Sequence, residues 1–132
     1  MEYLNPTFML LWAAAICVIT AGIHSVVGER RLIIPALAID APLMNSPLAR
    51  AVFRFAWHWT TVIWVLVAAV LVLMAYGDID IPMLLLGIGA THLAAGLISA
   101  IWSRGQFIGA PLITLAGVLI LLAYYVTTST TT

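Results

Sequence analysis

Three histidines, His24, His58 and His92, are the residues of this 132-residue chain whose type and placement could carry chemistry. Each lies inside a different hydrophobic stretch, and all three lie toward the same end of their stretches. Ionisable side chains within membrane spans are costly, and they usually face a bundle interior or a wet cavity. Imidazole binds iron, copper, zinc and nickel, and histidine is a usual axial ligand of haem iron. We therefore predict a histidine-lined ligand cavity between the spans.

Depth and neighbouring residues favour different ligand pairs within this cavity. At 1.5 Å per helical residue, His24 and His58 lie roughly 6 Å below the near membrane face and His92 roughly 15 Å below it. Equal depth favours His24 with His58 as axial ligands of haem b. Small residues on the same helix face, where a flat group would fit, favour His24 with His92 and include Gly96. A metal ion held by the three histidines, or a quinone whose carbonyl contacts Arg54, would occupy the same cavity.

Composition places this cavity in a membrane. The chain is 64% hydrophobic and 8% charged, with a mean hydropathy of +1.17, whereas soluble domains carry about 25% charged residues. A zero net charge and the absence of basic clusters with interleaved aromatics argue against a nucleic-acid partner. Cys17 is the single cysteine, so the sequence predicts no disulfide and no CxxC motif. We interpret Cys17 as a small buried residue.

Four stretches are long enough to cross a bilayer, whose core of about 30 Å needs about 20 helical residues. They cover about 6–27, 52–76, 81–102 and 107–126. The turns between the last three are short, which predicts antiparallel neighbours. The predicted fold class is an all-α membrane protein, one domain over residues 1–132, built as an antiparallel bundle of four transmembrane helices.

Small residues predict how these helices pack, because lipid provides no hydrophobic drive between them. Spans one and three are rich in glycine, alanine, serine and threonine, so we expect these two spans to pack closely. A GxxxG pattern from Gly105 to Gly109 predicts a further close contact of span four.

The connection over 28–50 is long and contains Pro35, Pro42 and Pro47, which exclude one regular helix. Its remaining residues are too apolar for a free loop. We expect it to lie in the membrane interface or against the mouth of the bundle.

The arginines predict the orientation of the chain. All of them lie in the 28–50 connection, at the start of span two or in the turn after span three, and there is no lysine. They are Arg30, Arg31, Arg50, Arg54 and Arg104. Basic residues in short loops stay cytoplasmic, so the sequence predicts a bacterial cytoplasmic (inner) membrane protein with both termini outside. No basic segment precedes the first span, so we expect that span to be retained.

The string from His24 through Gly28-Glu29-Arg30-Arg31-Leu32, followed by Arg54-Phe55-Ala56-Trp57-His58, resembles small four-span bacterial membrane proteins of unassigned function. The resemblance covers about the first half of the chain and implies no activity. The chain does not resemble the small multidrug exporters of similar length, which use a glutamate inside their first span.

The leading functional prediction is a binding or redox protein of the membrane, with a role in electron transfer if the ligand is haem b. The sequence contains no catalytic triad, phosphate loop or carboxylate pair, so whether the chain is an enzyme stays open. One alternative is a non-catalytic accessory or assembly subunit that packs in the bilayer against a larger membrane complex. Another is a small transporter that works as a homo-oligomer.

Overall fold

The computed structural model describes residues 5–79 and 81–129, and this part of the chain contains helices and no strands. The segments in order are α1 at Pro6–Gly28, a π-helical turn at Glu29–Ile33, α2 at Ile34–Leu37, α3 at Pro47–Ala75, α4 at Pro82–Trp102 and α5 at Ala110–Ser129. Four continuous helices, the first of them running from Pro6 to Leu37, are long and apolar enough to cross a bilayer. The chain is therefore a multi-pass membrane protein, and the predicted all-α fold is confirmed.

Local residue chemistry explains where the helices begin and end. Asn5 caps α1 by accepting a hydrogen bond from the Thr7 backbone N–H at 2.9 Å, and Ser46 caps α3 in the same way. Proline occupies the first turn of α1, α3 and α4, where its missing N–H costs nothing. After α3 the chain reverses at Gly77, whose φ of 81° is a conformation that favours glycine.

Most of the 28–50 connection is helical, with one break between two helical segments. The first helix continues through the π-helical turn and α2 as far as Leu37, and α3 starts at Pro47. Within the turn, the Ile34 N–H donates to the Glu29 carbonyl, five residues back. Pro35 provides no N–H, and the π-helical turn just before it accommodates the lost hydrogen bond without ending the helix. Only residues 38–46 remain outside a helix.

The helices pack in the spatial order α3, α1, α5, α4. Helix α1 contacts both α3 and α5, and α4 packs on α5. The prediction that spans one and three pack closely is therefore wrong, because the small residues of α4 meet α5 instead of α1. Helices α3 and α4 share few contacts, and a cleft of about 420 Å³ lies between them.

Glycines bring α4 and α5 into backbone contact. A Cβ on Gly96 would lie 2.6 Å from the Thr114 backbone nitrogen, and one on Gly117 would lie 2.4 Å from the Leu93 backbone nitrogen. Such distances leave no room for a side chain. The predicted GxxxG contact is not formed, since Gly105 lies in the turn before α5 with a φ of 78°.

The buried core lies between α1, α3 and α5, toward the end of the bundle that holds Pro6. Its fully buried side chains are small or aliphatic and include Cys17, Leu71, Ala116 and Ile120. The arginines lie toward the opposite end of the bundle.

Candidate ligand-binding site

A tryptophan from α3 lies flat against the histidine face of α1. The indole of Trp57 stacks on the His24 imidazole with ring centroids 4.1 Å apart and an interplanar angle of 13°. Gly28, one turn after His24, makes room for it, because a Cβ there would lie 2.4 Å from the indole. The Trp57 Nε1–H also donates to the His24 carbonyl at 3.2 Å. The chain's own indole therefore occupies the space beside His24 and Gly28.

Hydrogen bonds set the tautomer of His24. Its Nε2 lies 3.2 Å from the Trp57 carbonyl oxygen and 2.7 Å from the Thr60 hydroxyl. Because a carbonyl oxygen only accepts, Nε2 must carry the hydrogen. The Thr60 hydroxyl donates its own hydrogen to the Trp57 carbonyl at 2.6 Å, so it accepts from Nε2. The neutral imidazole therefore keeps its lone pair on Nδ1, which has no hydrogen-bond partner among residues 5–79 and 81–129.

The two side-chain hydrogen bonds at the Trp57 carbonyl explain a second feature of α3. A threonine in a membrane helix usually donates to the carbonyl four residues earlier, which for Thr61 is that of Trp57. That oxygen is already occupied by His24 and Thr60. The Thr61 hydroxyl is accordingly buried without a partner in the described part of the chain.

His58, also at the interface between α1 and α3, has a different set of partners. Its Nδ1 lies 3.0 Å from the Ser25 hydroxyl, and its Nε2 lies 3.3 Å from a carboxylate oxygen of Glu29. The second contact is too poorly aligned for a hydrogen bond, so it is an ion pair when the imidazole is protonated. The other oxygen of Glu29 accepts from the Arg54 guanidinium at 2.8 Å. Arg54, which we predicted to hold a ligand, is therefore paired within the protein.

His92 lies in a third environment, in the middle of α4. Its Nδ1 lies 2.8 Å from the Ile88 carbonyl oxygen, so Nδ1 carries the hydrogen and Nε2 the lone pair. Nε2 faces the Cys17 sulfur of α1 at 3.9 Å, and the Trp64 ring packs beside the imidazole with centroids 5.6 Å apart. The space next to Gly96, where we expected a flat ligand, is filled by Thr114 of α5.

The three histidines do not converge on one centre. In the described part of the chain, no group of three or more histidine, cysteine, aspartate or glutamate side chains is placed to hold a metal ion. Both ring nitrogens of His58 and of His92 already have partners within the protein. The predicted metal centre of three histidines is thus not assembled.

One cavity includes His24 in its wall. It has a volume of about 190 Å³ and lies between the end of α1, the π-helical turn, α3 and the segment before α5. His24, Arg31, Trp57 and Gln106 contribute to its wall. The rest is largely apolar: Thr20, Ile23, Val27, Gly28, Leu32, Phe107, Ile108 and Gly109.

Sequence reasoning placed His24 at a cavity but did not single out Arg31, Trp57 or Gln106 as the residues beside it. Arg31 and Arg30 look alike in the sequence, and only the turn of the π-helical segment decides which one faces the cavity. Gln106 lies in a connection whose course the helix pattern does not specify. The sequence did contain an indication for Trp57: Gly28 lies one helical turn after His24, and a glycine there leaves room for a ring from another helix.

We compared the chain with protein-family models, with curated proteins and with solved structures, and none of these comparisons found a match.

Proposed function

We propose that this protein binds the head of a lipid-soluble quinone in the cavity lined by His24, Arg31, Trp57 and Gln106. The observation that carries the proposal is the combination of polar groups in an otherwise apolar wall at the arginine end of the bundle. Ligand sites are mostly apolar, with a few polar groups that fix orientation. A quinone has a flat apolar ring with carbonyls at opposite edges, so it matches such a wall.

The polar groups complement both redox states of a quinone. The Arg31 guanidinium and the Gln106 amide are hydrogen-bond donors for a carbonyl oxygen. The unpartnered lone pair on Nδ1 of His24 is an acceptor for the hydroxyl of a hydroquinone. Because the internal hydrogen bonds hold Nε2 as the donor, the imidazole offers the acceptor without rearrangement.

The size of the cavity supports a single ring whose isoprenoid tail extends into lipid. Pockets that enclose a whole drug-sized ligand measure about 300–1,000 Å³, and this cavity measures about 190 Å³. Haem b is larger than one ring and needs two imidazoles that face one centre, whereas His24, His58 and His92 lie in three separate environments. We therefore rank the quinone above haem b and above a metal ion held by the three histidines.

Quinone binding is tested with the two adjacent arginines. The purified protein in detergent is titrated with a short-tailed benzoquinone or naphthoquinone, and binding is followed by quenching of tryptophan fluorescence. We expect Arg31→Gln to weaken binding about tenfold, the equivalent of about 1.4 kcal/mol. Arg30→Gln, which removes the same charge outside the cavity, should leave binding unchanged.

A photoreactive quinone should label the peptides that contain His24 or Gln106. Equal weakening by the two arginine variants, or no quinone binding at all, would contradict the proposal. An absorption spectrum of oxidised and reduced protein with a Soret band would instead support haem b.

We further propose the orientation in which the arginine end faces the cytoplasm of a bacterial cell and both termini face outward. The cavity brings Arg31 and the 106–109 segment to one end of the bundle, while Pro6, Gly77 and Thr127 line a cavity at the other. All five arginines belong to the first end by sequence. Reporter fusions at Gly77 and Thr132 should report outside and a fusion at Asn45 inside; the reverse pattern would refute this orientation.

A further inference from the structure

We propose that Cys17 and His92 together bind a soft monovalent metal ion, Cu(I), in the centre of the membrane. The two residues come from different helices and lie close together, with Sγ and Nε2 separated by 3.9 Å. This pair is separate from the quinone cavity, whose lining includes neither residue. The inference therefore does not depend on the proposed function.

The imidazole is already arranged as a metal ligand. The Nδ1–H of His92 is held by the Ile88 carbonyl at 2.8 Å, which leaves the Nε2 lone pair directed toward Cys17. Metal-binding histidines almost always donate their other ring N–H to such a group, which sets the tautomer and the ring orientation. The supporting contact of a metal site is therefore present without any metal.

The separation of sulfur and nitrogen fits one bridging ion. For zinc, metal–thiolate and metal–imidazole bonds are about 2.3 Å and about 2.0 Å long, so an ion with similar bonds on the line between the two atoms would hold them about 4.3 Å apart. The observed distance of 3.9 Å needs little adjustment. Structural zinc sites need four ligands, and the described residues offer no group of three. Cu(I) is stable with two soft ligands, and thiolate and imidazole both suit copper.

Charge balance in the bilayer also selects a monovalent ion. Cys17 lies eleven residues from each end of α1, and His92 lies ten residues from each end of α4. A net charge at this depth is expensive. A thiolate with Cu(I) is neutral overall, whereas a thiolate with Zn²⁺ would retain one positive charge. The position of the pair therefore favours Cu(I) over divalent ions.

The binding step exchanges a proton for the metal ion. The S–H bond of Cys17 breaks and an S–Cu bond forms, while Nε2 of His92 donates its lone pair to the same ion. The thiol proton leaves to water, so one proton is released for each Cu(I) bound, and no electron is transferred. The cleft between α3 and α4, whose wall includes His92, provides the route from the bilayer to the site.

The test is an anaerobic titration of the full-length protein in detergent with Cu(I) as its acetonitrile complex, in competition with a chromophoric Cu(I) chelator. We expect one tightly bound Cu(I) per chain, release of one proton, and X-ray absorption that shows one sulfur and one nitrogen ligand. Cys17→Ser and His92→Gln should each abolish tight binding. His58→Gln removes a histidine that is outside the pair and should retain it.

A second measurement keeps the test decisive if a variant fails to fold. In the wild-type protein, Cu(I) should raise the melting temperature, because a ligand that binds the folded state stabilises it, and Zn²⁺ should not. The proposal is overturned if the wild-type protein binds no Cu(I), if folded Cys17→Ser binds it equally tightly, or if the metal has only nitrogen and oxygen ligands. The Arg31→Gln variant should keep Cu(I) binding, so failure here is distinguishable from failure of the quinone proposal.

Discussion

The interfaces α1–α3 and α4–α5 solve the problem of helix association in lipid in two different ways. Helices α4 and α5 approach so closely that Gly96 and Gly117 meet backbone atoms of the other helix. Near the arginine end, α1 and α3 are instead joined by side chains, through the His24–Trp57 stack and the Glu29 contacts. Without a hydrophobic drive in lipid, association relies on close packing and on interhelical hydrogen bonds.

The two kinds of interface differ in the space that they leave for a ligand. An interface that brings two backbones together, as in α4–α5, leaves no space between them. An interface built from side chains leaves gaps that polar groups and a cavity can occupy. The proposed quinone site lies beside the second kind of interface. Substitutions at each interface test whether the two are held together in these different ways.

The largest effect is expected for Gly96→Leu. Its side chain would meet the Thr114 backbone, which cannot move without displacing α5, so we expect a loss of about 3 kcal/mol or more, at the upper end of overpacking costs. The measurement is thermal unfolding in detergent. Gly87→Leu in the same helix is the matched control, because no heavy atom lies within 4 Å of its added Cβ. Similar melting temperatures for both variants would mean that the glycine contact does not hold α4 to α5.

A smaller effect is expected for Gly28→Ala. The added methyl group would meet the Trp57 indole, a side chain that can shift, so we expect destabilisation of about 1–2 kcal/mol. Because Trp57 lines the cavity, the same substitution should weaken quinone binding. Gly22→Ala, which meets nothing within 4 Å on the same helix, is the control. Unchanged stability and binding in Gly28→Ala would refute the close fit of the indole on α1.

The smallest effect is expected for Glu29→Gln. The carboxylate pairs with Arg54 and His58, but the side chains of the three residues are 21%, 51% and 38% exposed. Ion pairs with this much solvent contact contribute about 0.2–1 kcal/mol to stability. Because solvent and salt screen the charges, we expect Glu29→Gln to reduce the stability by about 0.5 kcal/mol. Thermal unfolding at low and high salt should show a difference between wild type and variant that shrinks with salt. A loss as large as that of Gly96→Leu would contradict the distinction between the two interfaces.

The sequence alone determined the features that depend on local residue chemistry. The number of spans follows from the length of the apolar stretches. The predicted starts of the first and third spans, at about 6 and 81, agree with α1 and α4, whereas α3 begins at Pro47, before the predicted start at about 52. The grouping of arginines at one end follows from counting spans. The long connection was predicted less well, because a π-helical turn lets a helix continue past Pro35.

Only the tertiary structure decided which surfaces meet. A membrane helix has similar apolar residues on the face that contacts acyl chains and on the face that contacts another helix. The glycines of α4 therefore did not identify α5 as their partner. For the same reason, the sequence did not show that the three histidines lie in separate environments. Their depth follows from position in the span, but rotation about each helix axis sends His24 to Trp57, His58 to Glu29 and His92 to Cys17. That rotation is set by packing between helices, which a single sequence does not record.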